Sequence, residues 1–338
     1  MKTDVAIIGA GPIGIELAAA LKRAGLDYLH FEQGQIGQVM YSLFPVQTRF
    51  FSSADRIGIA GVPLRTQDQS KATREEYLTY LRTVVETFDL EIRTYEPVVA
   101  VERRGGDFIV RTRKREYEAR RVVLATGGTA RPRMLDLPGE DSPHVNHHLM
   151  DPHMYFRKRV LVVGGRNSAV EAAIRCYNAG AQVAVSYRKQ AFDPAHVKYW
   201  LLPEINGRIE RKEMESHFST RPVRISETEV TLERIDGSGT IEVPADFVLL
   251  MVGYVADMSL FRSAGAGLHG PQDAPTLNES TMETDVPGLY AAGTAVAGTQ
   301  MGYRVFLENC HIHVDRILAA LTGAPPPDPD PGPVLPES

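Results

Sequence analysis

The chain has 338 residues, 43% of them apolar, and a formal net charge of −5. That length accommodates two ordinary domains, and the mild charge offers no basis for binding nucleic acid or an anionic membrane. There is no apolar run of about 18 residues to span a bilayer. The two cysteines, Cys176 and Cys310, are far apart, provide no disulfide framework and suit a reducing cytoplasm.

In chain order, Val5-Ala6-Ile7-Ile8 predicts a strand that leaves no room ahead of it for a signal peptide. Gly9-Ala10-Gly11-Pro12-Ile13-Gly14 follows. A helix is expected over 15–24, with Ile13, Leu17, Ala20, Leu21 and Ala24 on one face and Gly25 closing it. A second strand, Tyr28 to Phe31, ends on Glu32. Strand, glycine turn, helix, strand and acid in this order form a dinucleotide-binding fingerprint. Gly9 is expected to make the tight turn, Gly11 to let a pyrophosphate approach the backbone, and Gly14 to let helix and strand pack. The helix N-terminus supplies free N–H groups for the pyrophosphate, and Glu32 accepts from the ribose hydroxyls. Gln33, Gly37 and Gln38 follow closely, in a loop suited to pass under a flavin ring.

Residues 39–63 read as irregular, with Phe44, Phe50 and Phe51 either walling a pocket or packing in the core. A helix is expected over 73–88, with Thr73 as N-cap and Glu75 and Glu76 in its first turn. Strands are expected over 91–94, 98–102 and 108–112, the last two joined at Gly105-Gly106. Residues 121–127 read as a buried strand ending in the small-residue turn Ala125-Thr126-Gly127, which lets backbone approach a cofactor. Residues 131–152 form a connection containing His144, His147 and His148, with His153 just beyond. No cysteine stands near them, and no metal site is expected.

The second fingerprint begins 155 residues after the first, so Val5 maps to Val160 and Gly25 to Gly180. Gly164 maps to Gly9, Arg166 to Gly11, Asn167 to Pro12, Ser168 to Ile13 and Ala169 to Gly14. Tyr187 takes the place of Glu32 and is followed by Arg188 and Lys189. A carboxylate there would repel a ribose 2′-phosphate, whereas Arg188 can grip one. The first site therefore reads as FAD and the second as NADPH. Arg166 either reaches the pyrophosphate or crowds it. Beyond lie a hairpin over 229–241 turning at Asp236-Gly237, a buried strand over 245–251, and a strand ending at Gly293. A helix is expected over 303–321, its N-terminus suited to negative charge on a reduced flavin. The proline-rich segment 326–338 reads as a disordered tail.

The paired fingerprints, with Ala125-Thr126-Gly127 and Ala291-Ala292-Gly293, resemble the low-molecular-weight thioredoxin reductases. Residues 164–173, 186–188, 197–204 and 281–293 are more similar still to the bacillithiol disulfide reductase family of the YpdA type. The resemblance covers nearly the whole chain before the proline tail. It implies an α/β protein of two Rossmann-like three-layer domains: an FAD domain over 1–130 and 255–325, and an NADPH domain over 131–254. It also implies a homodimer passing hydride from NADPH to FAD and on to a small-molecule or protein acceptor, the cytoplasmic location resting on the cysteine usage above. Three departures stand out. The CxxC of thioredoxin reductases is absent. Ile13 occupies the position of the cysteine that the YpdA-type family carries in its first glycine motif. Gly293-Thr294 replaces the Gly-Asp common in related reductases, and Thr294 remains able to bond a ribityl chain. A reductase acting on a small disulfide, a quinone or a protein carrier is thus expected, with ferredoxin or flavodoxin as the second choice of acceptor. The other readings are a flavin monooxygenase, whose motif fits poorly around Leu137-Pro138-Gly139 and His144, and a non-catalytic sensor of flavin and NADP.

Overall fold

The computed structural model describes residues 2–300, 302, 304–325 and 327. The chain divides into two units and passes between them twice, at 131–132 and 253–254.

The first unit opens with β1 (Lys2–Ile8), α1 (Pro12–Arg23) and β2 (Tyr28–Phe31). Three helices follow: α2 (Gln38–Leu43), α3 (Ala54–Ile57) and α4 (Arg74–Thr87). Residues 39–63 are thus not wholly irregular, because Gly37 (φ 68°) turns the chain into α2 and Ser53 precedes α3. Phe44 packs against Phe50, and Phe50 against Tyr77 at 4.5 Å, which places the Phe50 ring against the core. At α4 the Thr73 hydroxyl accepts the Glu76 N–H while the Glu76 carboxylate accepts the Thr73 N–H, a capping box. Next come β3 (Val98–Arg104), β4 (Asp107–Thr112) and β5 (Glu116–Leu124). Residues 91–94 do not form a strand. Only Arg93 bridges to Phe31, and the chain then turns through Tyr95 at φ 53°.

In the second unit, Arg159–Val163, α5 (Asn167–Asn178) and Gln182–Tyr187 repeat the opening βαβ, followed by α6 (Leu202–Glu210). The parallel sheet runs 215–218, 182–187, 159–163, 247–250, 145–146. A separate antiparallel sheet joins the expected hairpin, Glu229–Arg234 with Thr240–Pro244, to a third strand, Thr220–Ile225, that its sequence does not announce.

Back in the first unit, α7 (Ser259–Ser263) precedes the strand Leu289–Ala291, which lies parallel to the last residues of β5. The sheet order is β2-β1-β5-β4-β3, with β1, β2, β5 and 289–291 parallel and β3–β5 antiparallel. α1, α4 and α8 (His311–Thr322) share one core. Because α1 is enclosed by these neighbours, Ile15, Ala18 and Ala19 are buried as well as Ile13, Leu17 and Leu21, whereas Ala24 is exposed.

Among the described residues the last helix, His311–Thr322, is shorter than the expected 303–321, and Tyr303 itself lies outside them. Side chains take the backbone groups that a longer helix would use. Gln300 Oε1 accepts the N–H groups of Arg304 and Val305, and Asn309 accepts from Phe306 while donating to the Arg304 carbonyl. Of the proline-rich segment 326–338, all but Pro327 lies outside the described residues.

Candidate functional site

The repeat holds at atomic detail. α1 and α5 are both twelve residues long and lie 155 residues apart end for end. Gly9 N–H donates to the Phe31 carbonyl at 2.8 Å, and its counterpart Gly164 to Ser186 at 2.9 Å. Both glycines have positive φ, 110° and 142°. A Cβ on Gly9 would lie 2.4 Å from the Ala125 carbonyl oxygen, and one on Gly164 2.5 Å from that of Met251, so each turn admits only glycine. A Cβ on Gly14 would meet the Gly9 carbonyl at 2.0 Å, which is why helix and strand approach so closely.

Around the first fingerprint the residues leave a cradle. Nothing lies within 4 Å of a Cβ built on Gly11, no side chain caps α1, and Pro12 occupies its first position, where its missing N–H costs nothing. Glu32, 7% exposed, accepts the Ala10 N–H at 2.7 Å on Oε2 and the Gly34 N–H at 3.0 Å on Oε1. Each oxygen keeps a lone pair for a further donor. Gly37 N–H donates to the Ala10 carbonyl at 2.9 Å, holding the 33–38 loop against the turn, while Gln38 Oε1 accepts the Gln35 N–H and Gln33 is exposed. His30 is not singled out by the fingerprint. It is fully buried, its Nε2 bonds the Gly9 carbonyl at 2.9 Å, and burial holds its pKa down to about 4. A histidine between Leu29 and Phe31 in a core strand is the one signal that would have marked it.

Two further turns sit at the carboxyl ends of β5 and of Leu289–Ala291. Thr126 Oγ1 is buried without a hydrogen-bond partner, an orphan group of the kind a cofactor satisfies. Gly127 has φ 77°. Gly128 N–H donates to Thr294 Oγ1 at 2.9 Å, which ties the two turns together and leaves the Thr294 hydroxyl proton to donate elsewhere. Gly293 N–H donates to Nδ1 of buried His313, and a Cβ on Gly293 would touch Ile13 at 3.5 Å. The first fingerprint and these turns therefore meet, and they suit the adenosine, pyrophosphate and ribityl groups of a flavin dinucleotide.

The second fingerprint is closed differently. Tyr187, in the place of Glu32, lays its ring over Gly165, and a Cβ there would sit 2.4 Å from three ring carbons. The ring also stacks on Phe192 at 6.0 Å. Arg166 is the N-cap residue of α5 and is exposed, as is Ser168, while Ala169 is buried against Gly164. Asn167 Oδ1 accepts the Lys198 N–H at 2.7 Å. Arg188 is exposed, and Lys189 is ion-paired with Asp193.

Neither thiol is accessible. Cys176 is fully buried, and burial pushes its pKa to about 12. Cys310 does not lie two turns inside the last helix, as expected. It is the N-cap residue of α8, fully buried, its thiol raised far above the usual range by burial and by Glu308 and Glu16. The loop histidines are engaged locally: His144 Nε2 bonds the Ser226 carbonyl and His147 lies 3.8 Å from buried Glu140. Among the described residues, no group of three or more His, Cys, Asp or Glu is placed to hold a metal, and no helix is long and apolar enough to cross a membrane.

The chain belongs to the pyridine nucleotide-disulphide oxidoreductase family, whose pattern matches residues 6–293. It is an NADPH-dependent flavoprotein oxidoreductase with FAD as its flavin. Its fold is the thioredoxin-reductase-like α/β architecture expected from the sequence. It is 34% identical to bacilliredoxin reductase Bdr of Bacillus subtilis (strain 168), over 93% of this chain and 96% of that protein. The solved bacillithiol disulfide reductase Bdr (YpdA) of Staphylococcus aureus superposes with a TM-score of 0.89 at 32% identity, covering 96% of this chain and 99% of that one. A ferredoxin–NADP reductase of Ignicoccus hospitalis (strain KIN4/I / DSM 18386 / JCM 14125) is 25% identical over 86% of this chain and 89% of its own.

Proposed function

We propose that the protein is an NADPH-driven reductase of a small disulfide that passes electrons from FAD to its acceptor without a cysteine relay. The reaction is NADPH + RSSR + H⁺ → NADP⁺ + 2 RSH. The first unit holds FAD through Gly9, Gly11, Gly14, Glu32, Thr126 and Thr294, and the second holds NADPH through Gly164, Arg166, Ser168 and Arg188. When bound, FAD supplies the chemistry that takes a hydride from NADPH and returns two electrons to the acceptor. The polypeptide's part is to hold and shield. Glu32 grips through its remaining lone pairs, Thr294 offers a hydroxyl proton, and α1 and α5 present open N-termini to the pyrophosphates.

The observation that carries the direct route is the state of the thiols. A nucleophilic cysteine needs access and a lowered pKa. Both cysteines are fully buried with pKa values raised, and Ile13 packs against the Gly293 turn where the resembling family has its thiol. The disulfide acceptor is favoured by the likeness to bacilliredoxin and bacillithiol disulfide reductases. Ferredoxin is the second reading, because ferredoxin–NADP reductases align over most of the chain. A cytoplasmic homodimer goes with either. The deciding experiment is anaerobic reduction of the FAD-loaded protein with NADPH, followed by bacillithiol disulfide, ferredoxin, flavodoxin and a quinone in turn. Reoxidation fastest with the disulfide supports the reading. Bleaching with no response to the disulfide removes it, and no bleaching at all leaves a sensor.

A further inference from the structure

The strand Gln182–Tyr187 is followed by two cations in unequal circumstances. Arg188 is exposed and makes no ion pair among the described residues. Lys189 Nζ lies 3.0 Å from Asp193 Oδ2, and His196 Nδ1 lies 3.0 Å from the same oxygen. The other oxygen, Oδ1, accepts the Ala195 N–H at 3.0 Å, and the Asp193 carbonyl accepts the amides of His196 and Val197. The carboxylate is thus built into its turn. Lys189, the Ala195 N–H and His196 hold its pKa at about 2, so it stays charged throughout the working range.

The segment carrying Asp193 is anchored on both sides. Before it, Phe192 stacks on Tyr187 and meets Phe218 edge-on at 5.3 Å. After it, Lys198 N–H bonds Asn167 Oδ1 at the first residue of α5. Residues 192–198 therefore run as a strap from the end of the strand to the start of the helix, and the backbone that carries the carboxylate is held on both sides. A fixed anion beside Lys189 cancels much of the attraction that ammonium would exert on a phosphate.

We propose that Asp193 is a specificity-determining residue of the second nucleotide site: an internal counter-ion that holds Lys189 off the ribose 2′-phosphate and limits the preference for NADPH over NADH. This rests on the reading of the second unit as the NADPH site with Arg188 on the 2′-phosphate. A capped grip lets NADP⁺ leave quickly after hydride transfer, while Arg188 alone supplies the discrimination.

The test is anaerobic flavin reduction by NADPH and by NADH in the FAD-loaded protein, reading the ratio of the two specificity constants. Asp193→Asn should raise that ratio about two- to fivefold. The gain should shrink with added salt, because a new lysine–phosphate contact is screened. It should vanish in Asp193→Asn combined with Lys189→Gln. A ratio unchanged or lowered by Asp193→Asn, while Arg188→Ala still lowers it, overturns the proposal and leaves the site reading intact. A ratio indifferent to Arg188→Ala shows instead that the site was misread, and the proposal falls with it. Should Asp193→Asn fail to fold, Lys189→Gln in the native chain decides. A change below about twofold supports a lysine held off the phosphate, and any larger loss shows that it already grips it.

Discussion

Gly293 and His313 are joined by a buried hydrogen bond, the glycine N–H donating to Nδ1 of the imidazole at 3.2 Å. The bond requires the neutral ring with its proton on Nε2. Burial, Arg316 and His311 keep it so by lowering the pKa to about 4. The last helix thereby fixes the turn that carries Thr294. His313→Leu leaves the amide unpaired in the core at a cost of about 1–3 kcal/mol, and should release FAD on gel filtration. His313→Asn keeps an acceptor and should retain it. Equal flavin content and equal melting temperature in His313→Leu and wild type would refute this role.

The Tyr187 ring on Gly165 makes the second prediction. A methyl at 165 has no room and must displace the Tyr187 ring; overpacking of this kind costs about 1–3 kcal/mol, and where that cost falls on the nucleotide-bound state it is on the order of ten- to a hundredfold in affinity. Gly165→Ala should raise the KM for NADPH by that factor while FAD content, set in the other unit, stays the same. Steady-state rates over a range of NADPH concentrations check it, and a KM within twofold of wild type rejects it.

Coenzyme preference follows from Arg188. A charge-assisted pair with a phosphate contributes about 1.5–3 kcal/mol, so NADPH should exceed NADH by roughly ten- to a hundredfold in specificity constant. Arg188→Ala should remove most of that margin by weakening NADPH alone. Flavin-reduction rates with both nucleotides decide the matter; parallel losses with both would point to Arg166 instead.

For the cysteines, alanine is the informative replacement, since a serine hydroxyl at a fully buried position would need a partner. Cys176→Ala with Cys310→Ala should keep NADPH oxidation with the best acceptor within a few-fold of wild type. A hundredfold fall in a folded, FAD-loaded protein would establish a thiol relay.

Stability should depend on pH through His311, the partner of Glu16. His311 Nδ1 lies 2.8 Å from the Glu16 carboxylate, and its Nε2 bonds the Arg56 carbonyl. Burial lowers the His311 pKa, but the Glu16 bond and charge outweigh it, so the folded value lies above the ordinary one. The stabilisation is then fully present below the unfolded pKa, near pH 6.5, and is lost as pH rises through the higher folded value. His311→Gln should cost about 1–2 kcal/mol at pH 6 and less at pH 9, measured by denaturant unfolding at both. An equal cost at the two pH values would exclude the charged pair.

Both fingerprints were legible in the sequence because their determinants are local. The φ of Gly9, the helix of α1 and the turn into β2 are set by residues a few positions apart, and the 155-residue repeat carried that reading to Gly164, α5 and Tyr187. The capping box at Thr73 and the Gly105-Gly106 hairpin are local for the same reason. What the sequence left open depends on partners distant along the chain. The last helix begins at His311 because Gln300 and Asn309 take the backbone groups of 304–306. Residues 91–94 stay out of the sheet because only Arg93 reaches β2. Gly293 meets His313, Glu16 meets His311, and Ile13 meets Gly293 only once α1, the strand Leu289–Ala291 and α8 pack together. Sequence periodicity reports which face of an element is apolar; which polar atom is then left facing which is decided by tertiary packing, where each buried donor has to find its acceptor.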